Sequence, residues 1–329
     1  MSPDLSVVIP IRNEAASLVD LHQELTDTLE RWGRSYEILI VDDGSTDESF
    51  QILTRLQAAD PRLRVIRFRR NFGQTAAFAA GFDHASGRLI VTSDGDLQND
   101  PRDMPSMIQT LEGGYDIVCG WRKDRKDRFL SRRLPSTIAN WLISAATGVH
   151  LHDYGCSLKV FRAEVIKPLK LYGEMHRFLP AIASEQGVSI AEVVVNHRAR
   201  RHGQSKYGIS RTIRVILDLL TVKFLMSYST RPLQVFGPVG LGIALLGSII
   251  AAWLAYQRIA GIATAGWLAL LFLSLLLVIT GGQLVTLGLL AELQARTYHE
   301  SQDKPTYVIR EILDRHSDRR ADSGAGPGA

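Results

Sequence analysis

Asp94, Asp96 and Gln98 follow the apolar run 89–92 and are spaced two residues apart. Two carboxylates and an amide make a compact set of oxygen donors. In an extended segment, side chains at i and i+2 point the same way. The spacing therefore predicts three oxygens aimed at one point. Hard divalent cations take oxygen ligands, and Mg²⁺ commonly uses one or two protein carboxylates together with substrate phosphates. A polar turn after a buried strand would use the same residue types. Recurrence argues for chemistry: other apolar runs also end in polar groups, at Asn13 and Glu14, at Asp42 and Asp43, and at Arg69, Arg70 and Asn71.

The cationic residues are clustered too. The 329-residue chain carries a net charge of +4 and has a pI near 9.1, an excess too small to indicate nucleic-acid binding. One cluster is Arg122, Lys123, Arg125, Lys126, Arg128, Arg132 and Arg133; the second is Arg198, Arg200, Arg201, His202 and Lys206. Such runs suit phosphate groups or anionic lipid heads, and they also occur as solvated faces. The two cysteines, Cys119 and Cys156, suggest neither a disulfide framework nor a thiolate metal site, so reduced thiols are expected. No signal-peptide pattern is read at the start. Nucleotide-binding glycine loops of the Gly-x4-Gly-Lys-Ser/Thr and Gly-x-Gly-x-x-Gly types are missing, and Asn99 and Pro105 stand where a calcium loop needs Gly and Glu. His150, His152 and Asp153 read as ordinary residues of a Gly-flanked loop.

Residues 5–121 must position these groups. Strand-like runs at 5–11, 36–41, 63–68, 89–92 and 117–119 alternate with helical patterns at 15–31, 47–59 and 74–85. That alternation predicts an α/β domain with a mostly parallel sheet, in which ligands bind beyond the carboxyl ends of the strands. Residues 122–207 are less regular, with an amphipathic helix expected at 134–147, strands at 157–161 and 189–195, and a helix at 174–186. The domain is expected to span 1–207. Residues 208–231 mix apolar and charged side chains, as an interfacial helix does. Residues 232–257 and 259–291 hold no charge, and each is long enough for one membrane span of roughly 20 residues. The region 232–295 is thus read as a two-helix hairpin, with spans near 235–256 and 267–290. Lys and Arg flank both its ends, which puts the domain and the 296–329 tail in the cytoplasm; the tail's end reads as disordered.

Residues 7–14 (VVIPIRNE), 41–47 (VDDGSTD) and 94–98 (DGDLQ) resemble the signature of family 2 glycosyltransferases, which have the Rossmann-like GT-A fold. Residues 153–159 (DYGCSLK), 173–180 (GEMHRFLP) and 200–207 (RRHGQSKY) are similar to the polyprenyl-phosphate branch of that family. The resemblance implies an inverting transfer of a sugar from a nucleotide-diphosphate donor to a polyprenyl phosphate at the cytoplasmic face of the inner membrane. It implies that Pro10, Arg12, Glu14, Val41 and Asp43 line the nucleotide pocket. A Mg²⁺ or Mn²⁺ ion is expected on Asp96 and Gln98, assisted by Asp94, with Arg200 and Lys206 on the donor diphosphate. Arg122 and Arg133 are read as the grip on the acceptor phosphate. A homo-oligomer is compatible with this reading, and membrane lipid is an expected partner. The family usually has alanine between the two acids; Gly95 is expected to leave the site intact but looser. Two rivals are a polysaccharide synthase, which would carry Gln-x-x-Arg-Trp and more membrane helices, and a non-catalytic membrane scaffold.

Overall fold

The computed structural model describes residues 2–123, 140, 143–144, 147–171, 175–199, 233–262, 266–301 and 306–314. The chain divides into two compact units, Met1–Val222 with Pro305–Ala329, and Lys223–Lys304.

Unbroken runs of Val, Ile and Leu build the first unit's sheet. Its strands are β1 (Leu5–Ile11), β2 (Tyr36–Asp42), β3 (Leu63–Phe68), β4 (Leu89–Thr92), β5 (Ile117–Trp121), β6 (Lys159–Arg162), β7 (Ile190–Val194) and β8 (Ile309–Leu313), in the spatial order β7-β5-β6-β4-β1-β2-β3-β8. β1, β2 and β4 are buried along their whole length, as strands covered on both faces must be. β4-β1-β2-β3 pair in parallel, whereas β6 runs antiparallel to β4 and β5. The chain moves outward from β1 to β3 and then returns to β4 on the other side of β1. The switch point lies between β1 and β4, where sheets of this kind bind ligands.

Parallel neighbours require crossovers. They are α1 (Leu18–Trp32), α2 (Ser49–Ala59) and α3 (Gln74–His84). α1 buries Leu18, Leu21, Leu25 and Leu29, one stripe at helical spacing, and Gly33 ends it with φ 77° by donating to the Leu29 and Glu30 carbonyls. α3 is rich in Ala and Gly because it lies close on the sheet: a Cβ at Gly81 would run into the Val8 side chain.

Several elements depart from the sequence expectation. α4 (Met104–Glu112) buries Met104, Met107, Ile108 and Leu111, a helical stripe hidden in the sequence by Pro101 and Pro105. The helix expected over 174–186 is a 3-10 turn (Met175–Phe178) followed by a short helix, α6 (Leu179–Ser184), with Pro180 in its first turn. The four-residue α5 (Ala163–Ile166) comes before it. β8 lies within the stretch read as a tail; it pairs antiparallel with β3 and closes that edge of the sheet. The expected segment 208–231, the extreme C-terminus and most of 134–147 lie outside the described residues.

The second unit contains α7 (Leu233–Ile259) and α8 (Trp267–Ser301). Their segments Phe236–Ile259 and Trp267–Leu290 have mean hydropathies of 2.0 and 2.3, yet only 17% and 11% of the apolar windows are buried. A soluble core helix of this composition would be mostly covered. Apolar faces left bare over such length fit lipid. The two helices meet at glycine: a Cβ on Gly240 would lie 2.6 Å from the Gly281 carbonyl oxygen, and one on Gly247 would lie 2.7 Å from that of Ser274. Small residues permit this approach.

Candidate active site

Loops after β1 and β2 are stitched together at the carboxyl edge. The register sets Pro10 opposite Val41 and Ile11 opposite Asp42. Asn13 sits at φ 58°; its side-chain oxygen accepts the Thr46 amide at 2.8 Å and its own amide donates to Ser45 Oγ at 3.0 Å. The Glu14 amide donates to Ser49 Oγ at 3.0 Å. Asp43 is buried, and its two oxygens accept the Phe72 amide at 2.7 Å and the Gly73 amide at 3.0 Å. Burial pushes its carboxyl above the usual range, while these amides and nearby Arg12 pull it back. Asp43 thus anchors the 71–73 loop as well as facing the edge where a nucleotide is expected.

The 94–98 segment is not an extended continuation of β4. The strand ends at Thr92, the chain bends through residues 95–97, and Leu97 takes φ 61°. A left-handed conformation is uncommon for leucine and costs of order 1–3 kcal/mol. Here it is held by burial of the Leu97 side chain and by the Gln98 amide donating to Asp96 Oδ1 at 3.2 Å. Proximity of the two carboxylates is therefore produced by a bend rather than by a pleat. Gly95 is tightly enclosed, correcting the expectation of a looser site: a Cβ there would lie 2.6 Å from Ile11 Cγ2.

Asp94 is tied on both oxygens, by Gln74 Nε2 at 2.9 Å and Ser157 Oγ at 2.6 Å. Burial raises its pKa first and the neighbouring Asp96 charge raises it further, against the opposing pull of Ser157, Arg122 and Lys159. Two carboxylates that repel each other suit a hard divalent cation; the Gln98 side chain is turned to the Arg198 carbonyl, to which its Nε2 donates at 3.5 Å. Among the described residues no three His, Cys, Asp or Glu side chains gather at one point. An ion here would take further ligands from a phosphate-bearing substrate.

Arg122 does not stand as a free fork. Its Nε and Nη2 donate to Asp153 at 2.7 and 3.0 Å, and the pair is largely buried. Burial opposes its charge, but Asp153 and nearby Asp94 hold it firmly protonated. A guanidinium has five N–H donors, and among the described residues two of them go to Asp153. Glu192 in turn accepts the amides of His152 and Asp153 and pairs with His152 Nδ1 at 2.8 Å. His152 stacks on Trp121 with ring centroids 4.1 Å apart, which explains the loop histidine without a metal. Arg198, in the second basic cluster, is engaged by Glu24 and Asp100. Arg133, Arg200 and Lys206 lie outside the described residues.

Sequence reasoning missed the groups that hold this site. Gln74 and Ser157 fix Asp94. Thr75 Oγ1, at the start of α3, lies 2.7 Å from His176 Nδ1. Lys159 is buried, donates to the carbonyls of Cys156 and Tyr154, and places a cation near Asp94. Ser157, Lys159 and His176 lie in motifs that were visible; the pairings of Ser157 with Asp94 and of His176 with Thr75 were not, because they join residues 63 and 101 positions apart. Both cysteines are buried and unbonded to each other, and burial pushes the Cys119 thiol up to about 12.

Residues 6–169 match the family model described as glycosyl transferase family 2. The chain is 47% identical over 320 residues to the dodecaprenyl-phosphate galacturonate synthase of Rhizobium johnstonii, covering 96% of this chain and 95% of that protein. It is 39% identical to the undecaprenyl-phosphate 4-deoxy-4-formamido-L-arabinose transferase of Shewanella sediminis, covering 94% and 92%. Among solved structures, it is similar to glucosyl-3-phosphoglycerate synthase from Mycobacterium tuberculosis in complex with Mn²⁺, UDP and phosphoglyceric acid. That likeness has a TM-score of 0.53 at 20% identity and covers 67% of this chain and 78% of that one. It shows the GT-A fold.

Proposed function

Because this chain belongs to glycosyl transferase family 2, we propose that it moves a sugar from a nucleotide diphosphate to a polyprenyl phosphate at the cytoplasmic face of the inner membrane. The observation that carries the reading is the Asp94–Asp96 pair at the β1/β4 switch point, next to the Asp43 edge and the Arg122–Asp153 pair. An oxygen of the lipid phosphate attacks the anomeric carbon as the bond to the donor diphosphate breaks, with inversion. The acceptor is already an anion near neutral pH, so no proton has to be removed from it. The demanding task is the charge gathering on the leaving diphosphate. A Mg²⁺ or Mn²⁺ ion held by Asp96 and Gln98, with Asp94 behind them, would neutralise that charge. Arg200 and Lys206 are assigned to the same diphosphate. Pro10, Arg12, Glu14, Val41 and Asp43 are assigned to the nucleotide.

Arg122 is assigned to the acceptor phosphate through the donors it does not give to Asp153, with Arg133 as its partner. Asp153 fixes the plane of the Arg122 guanidinium, which reduces the conformational freedom lost when phosphate binds. The domain is taken to run from 1 to 207, the interfacial segment from 208 to 231, and the hairpin from 232 to 295. β8 follows the hairpin and pairs in the sheet that precedes it, which supports an even number of crossings. The flanking cations support the cytoplasmic side.

The test is a panel of labelled nucleotide sugars offered with a polyprenyl phosphate to membranes carrying the protein. Galacturonate comes first and 4-deoxy-4-formamido-arabinose second, in the order of relatedness. Label entering the lipid supports the reading, and its absence across the panel with a folded protein sinks it. Metal-dependent donor hydrolysis without lipid separates an enzyme from a scaffold.

A further inference from the structure

The outer edge of β3 is covered by a strand from beyond the hairpin, and its contacts lead to the nucleotide edge. Glu311 on β8 is the partner of Arg67 on β3. Arg67 Nη1 donates to Glu311 Oε1 at 3.1 Å, and its Cζ lies 3.9 Å above the Phe50 ring. Arg67 Nε is 3.8 Å from Asp42 Oδ2. Asp42 is fully buried at the end of β2; Oδ1 accepts the Ser45 amide at 2.8 Å, while Oδ2 has no hydrogen-bond partner. A buried carboxylate is costly unless a charge or donor compensates it. Arg67 is the cation closest to that task, and Glu311 and Phe50 hold Arg67 in place.

A second line of contacts runs parallel to the first. Tyr307 stacks on Phe68 at 5.2 Å and donates to Asp83 at 2.7 Å, and the Arg69 amide donates to the Val308 carbonyl at 3.1 Å. β3 then enters the 69–73 loop, whose Phe72 and Gly73 amides bind Asp43. Gly44, at φ 68°, lies under this loop: a Cβ there would be 2.6 Å from the Arg70 carbonyl carbon. No side chain fits, so a shift of the loop and a shift of the 42–45 turn go together.

We propose that β8 is a working part of the donor pocket. Glu311 and Arg67 are positioning residues: they hold Asp42, and through it Asp43 and the 69–73 loop, in the form that takes the nucleotide. Donor affinity then depends on a segment that the chain adds only after its membrane hairpin. The proposal rests on the assignment of the Asp43 edge to the nucleotide. The Glu311–Arg67 pair is itself half-exposed and worth little as an ion pair. Its effect is to aim Arg67 at the buried Asp42.

The test uses the full-length protein in detergent, as wild type, Glu311→Ala, Glu311→Gln and Arg67→Met. Amide hydrogen exchange is followed by peptide, and binding of UDP and of GDP is measured with Mn²⁺ present. In Glu311→Ala, exchange at Phe72 and Gly73 should quicken while the β5 peptide stays as in wild type. Nucleotide affinity should fall about three- to tenfold, the size of one weakened polar contact, with kcat at saturating donor nearly unchanged. Glu311→Gln keeps the acceptor oxygen and should fall between. Arg67→Met should exceed both; if it fails to fold, the two Glu311 variants decide. Unchanged exchange at 72–73 would overturn the proposal. So would a uniform rise across the whole domain with unchanged affinity, which would mean that β8 only adds stability. If wild type binds neither nucleotide, the pocket assignment itself fails, and the exchange pattern still decides whether β8 holds the loop.

Discussion

At the scale of the residue, Gly95 shows how closely the paired acids are held. Its α-carbon faces Ile11 Cγ2 with no room for a methyl group. Gly95→Ala should therefore impair turnover despite its mildness, and overpacking of this kind costs about 1–3 kcal/mol. Ile11→Leu removes the branch at Cβ, so the double variant should regain part of the lost activity and melting temperature. Additive losses would show that the contact is not the cause. The two cations proposed for phosphate should separate in kinetics: Arg122→Ala raises the KM for lipid phosphate, and Lys206→Ala weakens donor binding. Equal defects in donor binding measured without lipid would contradict the division. Arg122→Ala also takes the guanidinium from a buried Asp153, so a lower melting temperature should accompany it, from a loss of at most about 3–5 kcal/mol for a broken buried pair. The acids themselves were legible, because two carboxylates and an amide at fixed spacing name their own chemistry. Their geometry was not: the left-handed Leu97 is imposed by burial of its side chain, and no local signal in the sequence marks it.

At the scale of the element, α4 is pinned by charge at the amino end of the sheet. Glu112, at the helix end, accepts from Arg34 Nη1 at 2.6 Å and from Arg88 Nη2 at 3.1 Å. The Arg34 hydrogen bond, with Arg88 behind it, lowers its carboxyl from 4.5 to about 2. A folded pKa below the unfolded one gives stability that is present above the unfolded value and lost as pH falls through the folded one. Wild type should thus lose melting temperature between pH 4.5 and about 2, and Glu112→Gln should lose less over the same window. Equal losses would place the acid sensitivity elsewhere. The parallel strands and α1 to α3 could be read from apolar runs and helical stripes, since a sheet buried on both faces leaves an unambiguous pattern. β8 could not: five residues with charges at Arg310 and Glu311, after a membrane segment, resemble a solvated tail until β3 supplies the partner.

At the scale of the whole molecule, one chain puts two apolar helices between α/β elements of one sheet. If both helices span, as proposed, the even number of crossings returns β8 to the side of β1 to β7. Cysteine labelling in intact cells tests this, with a membrane-impermeant reagent on Ala263→Cys and Ser323→Cys variants that lack both native cysteines. Ala263→Cys should label from outside and Ser323→Cys should not. Labelling at Ser323→Cys would contradict the two-span topology. The buried native thiols should be silent in any case. The two apolar helices were legible because their length and lack of charge are recorded directly in composition. The sugar was not, since no side chain among the described residues distinguishes one hexose or pentose from another.

The most direct measurement of the central claim is transfer of labelled sugar into polyprenyl phosphate by purified protein, as wild type and as Asp96→Asn, with and without excess chelator. The account predicts metal-dependent label in the lipid for wild type. It predicts a loss of at least about a hundredfold for Asp96→Asn, the scale of removing one main electrostatic stabiliser. Full transfer in excess chelator, or by Asp96→Asn, would contradict it.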